Sequence, residues 1–158
     1  MANVAWASGH LLCSDDKDRA AVLKKINLLP DKPYESAFSI WKGIFHAPLE
    51  PNRAGYIITF GLSHKYFGEI DEIVKFLDFW EEFISDLPAQ ELFMSVEQEF
   101  CSSYELFGKF YFQWKRDYFP KSSESRWIFY GTAPIDETWQ SKFETKIEEE
   151  EDEYEDDE

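Results

Sequence analysis

Cysteine is nearly missing from this chain: Cys13 and Cys101 are the only two. Two cysteines do not make a disulfide framework, so the fold must rest on its own core. Both close apolar runs and read as buried, reduced thiols. No stretch approaches the roughly eighteen apolar residues of a membrane helix. The opening MANVAWASGHLLCSDDKD has no basic start and no long apolar run, unlike a secretory leader. The expected location is therefore cytoplasmic. Catalytic signatures are missing too. The chain has no Gly-rich phosphate loop and no Gly-x-Ser-x-Gly elbow. It also lacks CxxC, HxxxH and HExxH.

Basic residues are scarce. Sixteen Lys and Arg face 32 Asp and Glu, for a net charge of -16. Ten of those acids lie in the last twelve residues, Ile147 to Glu158, which hold no Lys or Arg. The remainder has 22 acids against 16 bases, so it carries -6 and the tail -10. Charge of one sign at this density repels itself and cannot be buried. Residues 147–158 are therefore expected to form a disordered, solvated tail, and residues 1–146 a single domain. The field of such a chain repels nucleic acid and membrane and attracts basic protein surfaces.

Aromatic residues are plentiful at 18 %, enough to fill a core and leave some rings for a binding surface. Patterning gives the element order β-α-β-β-α-β-β-β. Val4–Leu12 reads as a strand. Ser14 with Asp15, Asp16 and Asp18 reads as the N-terminal cap of a helix that runs to about Leu28, before Pro30. Phe38–Phe45 and Tyr56–Leu62 read as strands, with a loop at Ala47–Gly55 between them.

Glu69–Leu87 is the clearest helix. Ile70, Ile73, Val74, Leu77, Trp80, Ile84 and Leu87 recur at three- and four-residue spacing. Asp71, Asp78, Glu82 and Asp86 form an acidic stripe on the other side, with Glu81 beside it. Glu91–Phe100 and Glu105–Lys115 alternate as strands. In the second, Phe110, Phe112 and Trp114 face the core, while Phe107, Tyr111, Gln113 and Lys115 face outward. Cys101–Tyr104 would join the two as a hairpin. Asp117–Ser125 reads as a loop, Arg126–Tyr130 as a last strand, and Ala133–Phe143 as a possible short docking helix. The first six elements fit a ferredoxin-like split βαβ sheet with added antiparallel strands and two helices on one face. The class is α+β.

The carriers of metal or acid–base chemistry are few. His10 and Cys13 lie three apart, with His46 or Cys101 to complete a zinc set, but strand alternation separates the pair. His64 completes the histidines. No metal and no cofactor is expected. Glu97 and Glu99, beside Glu91, are the carboxylates placed to form a catalytic pair. Lys115, Arg116, Lys121 and Arg126 make a basic spot, read as a solubilising rim or an internal dock for the tail.

These features favour a non-enzymatic inhibitor or interaction protein that occupies the basic surface of a partner. The partner would be a nuclease, a defence effector, a toxin or another nucleic-acid-binding protein. Carboxylates one helical turn apart, about 5–6 Å, compare with phosphate spacing along a strand, so nucleic-acid mimicry of the anti-restriction or anti-CRISPR kind fits. The expected contact residues are Asp71, Asp78, Glu81, Glu82 and Asp86 on the helix, and Phe107 and Tyr111 on the sheet. In the tail they are Glu148, Glu149, Glu150, Glu151, Asp152, Glu153 and Tyr154. A small enzyme on the same scaffold, or a chaperone-like binder of basic proteins, are the alternatives.

Overall fold

The computed structural model describes residues 5–32, 40–47, 56–64, 70–98, 108–117, 126–131 and 139–146. They form β1 (Ala5–Cys13), α1 (Asp16–Asn27), a 3-10 turn (Lys42–Ile44), β2 (Phe45–His46) and β3 (Tyr56–His64). Next come α2 (Ile70–Ile84), β4 (Ala89–Gln98), β5 (Gly108–Asp117), β6 (Arg126–Gly131) and β7 (Glu144–Thr145). The chain is α+β. Its seven strands make one sheet in the order β2-β3-β1-β4-β5-β6-β7. Neighbours pair antiparallel except β6 and β7, which are parallel, so the sheet is mixed. It is larger than the sequence pattern implies, because β7 adds a seventh strand.

Strict alternation puts one residue set on the helix side of the sheet. Ala7 and Leu11 of β1, Ile58 and Phe60 of β3, and Leu92, Met94 and Val96 of β4 are buried there. So are Phe110, Phe112 and Trp114 of β5 and Trp127 and Phe129 of β6. Val22 and Ile26 of α1 and Phe76, Leu77, Trp80, Phe83 and Ile84 of α2 close over them. Each fully buried large side chain contributes about 1.5–3 kcal/mol, which makes the α2 face the main tie between helix and sheet. Gly9 is required on this side. A Cβ there would lie 1.9 Å from the Phe93 carbonyl oxygen and 2.8 Å from the Phe60 ring.

Three local readings are corrected. The cap of α1 is Asp15, whose carboxylate accepts from the Asp18 N–H at 2.8 Å, while the Ser14 hydroxyl donates to the Asp18 side chain at 2.7 Å. Of the strand expected over Phe38–Phe45, the described residues 40–44 are not strand, because Lys42–Ile44 coil into a 3-10 turn, and β2 is Phe45–His46. The Trp41 ring covers Gly43 there, and a Cβ on that glycine would lie 2.0 Å from it. Residues 139–143 are not helical. The chain instead docks through Trp139, 7 % exposed, and passes into β7. Residues 133–138, the Cys101–Tyr104 hairpin and residues 147–158 lie outside the described residues.

Candidate functional site

The acids of α2 divide by helical geometry. Glu81 lies four residues after Leu77 and three before Ile84, which places it on the apolar stripe. It is 2 % exposed, so it does not stand with the outward acids. Its carboxylate accepts from Trp114 Nε1 at 2.8 Å, from the Lys142 N–H at 2.9 Å and from the Ser141 hydroxyl. A buried carboxylate is tolerated only with donors of this kind, and these tie α2 to β5 and to the segment that leads to β7.

Asp78 is exposed but accepts from Trp139 Nε1 at 2.9 Å. Asp86 lies just beyond the helix and pairs with Lys25 of α1, which also donates to the Phe83 carbonyl at 2.6 Å. The Lys25 ammonium holds the Asp86 carboxyl below its ordinary value of 3.8, chiefly through their hydrogen bond. Glu82 is exposed and turned outward. Asp71 lies in α2, with its side chain outside the described set. Phe107 and Glu148–Tyr154 fall outside the described residues. Much of the stripe thus works internally, holding α1 and the segment 139–146 to α2.

The basic spot is likewise engaged. Arg116 turns toward the helix side, donating to the Ala89 carbonyl at 2.9 Å and to the Leu87 carbonyl, with its guanidinium over the Trp127 ring. Lys115 lies over Tyr130 at 5.7 Å. Arg126 pairs with Glu144 at 2.9 Å, on the strand that precedes the tail. Lys121 is outside the described residues.

The opposite face of the sheet carries no helix among the described elements. His10 of β1, Phe93 of β4 and Tyr111 of β5 form a row there. The His10 and Phe93 rings stack at 5.7 Å, and Phe93 and Tyr111 follow at 6.1 Å. Tyr111 is 42 % exposed, as its outward register on β5 requires. Beside the row, Glu91 Oε1 accepts from Gln113 Nε2 at 2.9 Å and lies 3.6 Å from His10 Nε2. His10 and Phe93 are the residues that sequence reasoning missed as a pair. Both occupy outward positions of their strands, and only the register His10↔Phe93 brings them together.

The residues singled out for metal or acid–base chemistry are dispersed among the described residues. His10 faces outward and Cys13 is buried, and no group of three His, Cys, Asp or Glu suited to a metal occurs among the described residues. Burial pushes the Cys13 thiol up to about 11, so it is a poor nucleophile. Glu91 and Glu97 share the outer face but are six residues apart on one strand, about 20 Å at strand rise. Glycosidase-type pairs stand about 5–9.5 Å apart. Glu99 is outside the described residues. A groove of about 500 Å³ opens between α1 and α2, lined by Leu29, Pro30, Ile40, Phe79 and Phe83, with Lys25 and Asp86 at its rim. No described helix is long and apolar enough to cross a membrane. No family model, curated protein or solved structure matches this chain.

Proposed function

We propose that the chain is a non-enzymatic interaction protein that occupies the basic surface of a protein partner, in the manner of a nucleic-acid mimic. The partner is a nuclease, defence effector, toxin or other nucleic-acid-binding protein in the cytoplasm. The observation that carries this reading is the division of the -16 charge. Ten acids follow Lys146, and the segment before them is bonded to the body by Glu81, Asp78 and β7. A dense anionic tail rooted on a folded body accelerates encounter with a cationic surface, while aromatic residues on the body supply short-range affinity. The tail is disordered until bound, because its acids have no counter-charge of their own.

The scaffold we assign is a ferredoxin-like core, β1-α1-β2-β3-α2-β4, with β5 and β6 appended as a meander. The strand order β2-β3-β1-β4 and its antiparallel pairings support this.

The test is competition. The full chain is used to capture proteins from host lysate at low and high salt, and duplex DNA is then added. Capture of basic, nucleic-acid-binding proteins, released by salt and by DNA, supports the reading. Partners without a basic surface, or capture indifferent to both salt and DNA, would sink it.

A further inference from the structure

Asp78, Asp86, Arg116 and Arg126 are each paired within the fold, so a contact surface for the body is sought elsewhere. The sheet face that carries no helix among the described elements has three properties together. It carries the ring row His10, Phe93 and Tyr111. It has hydrogen-bond acceptors beside the row. Gln113 spends an N–H on Glu91, and no donor other than Gln113 and His10 contacts the Glu91 carboxylate among the described residues. Lys115, which pairs across from Glu91 in the sheet, lies over Tyr130 at the β6 side. Rings flanked by acceptors, in a chain of charge -16, suit a cation with an apolar stem.

We infer that this face is the contact surface for the basic partner and that it takes an arginine side chain. The stem lies on Tyr111 and Phe93, and the guanidinium reaches the His10 end of the row against Glu91. The inference rests on the interaction reading given above. Arginine is chosen over lysine because its planar guanidinium sheds water more readily, stacks on rings and offers a fork of donors to a carboxylate. The 6.1 Å step between the Phe93 and Tyr111 rings suits the length of an arginine stem. Stacked bases of single-stranded RNA would also fit rings at this spacing, but their phosphates would meet Glu91 and the field of the whole chain.

The experiment titrates the full chain with capped octa-arginine, octa-lysine and oligouridine at physiological salt. Octa-arginine should bind about 3- to 10-fold tighter than octa-lysine. Tyr111→Ala and Glu91→Gln should each weaken octa-arginine about threefold or more and leave octa-lysine unchanged, while Tyr111→Phe binds as the parent does. Glu91→Gln keeps an acceptor for Gln113 and Tyr111→Phe keeps the ring beside Phe93, so both should melt as the parent does. Equal affinity for the two peptides overturns the inference, as does parental octa-arginine binding by both variants. Tighter binding of oligouridine than of octa-arginine also overturns it. Binding lost only when the acids of Glu148–Glu158 are changed to Gln and Asn removes the sheet face and leaves the broader reading standing. A parent that binds neither peptide ends both.

Discussion

Glu81 and Trp114 meet across the seam between α2 and β5, with the indole N–H donating to the carboxylate at 2.8 Å. The same carboxylate holds Ser141 and Lys142, so one side chain in the interior fixes a helix, a strand and the root of the tail. Its removal should be felt at all three places.

Glu81→Ala should lower stability by about 2–4 kcal/mol, because three buried or half-buried donors lose their acceptor. Urea denaturation reads the loss. Amide exchange at Lys142 and Phe143 should quicken more than in the core of β4. Unchanged exchange there would show that the carboxylate does not hold the segment.

Trp114→Phe and Trp80→Phe remove the same ring volume from fully buried sites, yet they should differ. Trp114 loses a bond to a buried carboxylate, worth about 1.5–3 kcal/mol. The Trp80 indole N–H has no partner among the described residues. The Trp114 variant should therefore melt lower. A lower melting point for Trp80→Phe would contradict this account.

The Asp86–Lys25 pair should give a small acid-side dependence. The carboxyl is lowered below 3.8 in the folded chain, so its contribution is present above that value and is lost as pH falls through the lowered one. Asp86 is largely exposed, which limits the effect to the range of surface pairs, about 0–1 kcal/mol. Lys25→Met should abolish this part of the stability–pH curve, on the acid side of 3.8. A curve that overlays the parent would show that the pair contributes nothing.

Cys13 should resist alkylation while the chain is folded. With Cys101→Ser as background, iodoacetamide should label Cys13 only after denaturant is added, since the thiol is 2 % exposed and raised to about 11. The sign of the linkage follows. The contribution of the protonated thiol is complete below its ordinary 9.0 and is lost as pH climbs toward 11. Rapid labelling of the native chain near neutral pH would refute the burial.

Much of the fold was legible because period-2 and period-3.6 patterns carry it. The alternation at Leu92, Met94 and Val96, and at Phe110, Phe112 and Trp114, predicts which face is buried, and those six are. The outward register of Tyr111 was legible for the same reason. Glu81 was misplaced because its charge outweighed its position, although Leu77, Glu81 and Ile84 share one stripe. The short β2 was obscured by the turn at Lys42–Ile44, since a run of apolar residues does not distinguish a strand from a coil packed on a ring. The parallel β7 has only two residues and no pattern of its own. The row His10–Phe93–Tyr111 depends on long-range register, which no local spacing encodes.

Among the described residues, the outermost strands of the sheet, β2 and β7, are each two residues long. A row of free backbone groups is what lets one chain recruit another by lengthening its sheet, and such short edges offer almost no template. Fibril growth and strand exchange are thereby disfavoured. Any association then rests on side chains rather than on backbone pairing. A protein with edges of this kind can be abundant without polymerising.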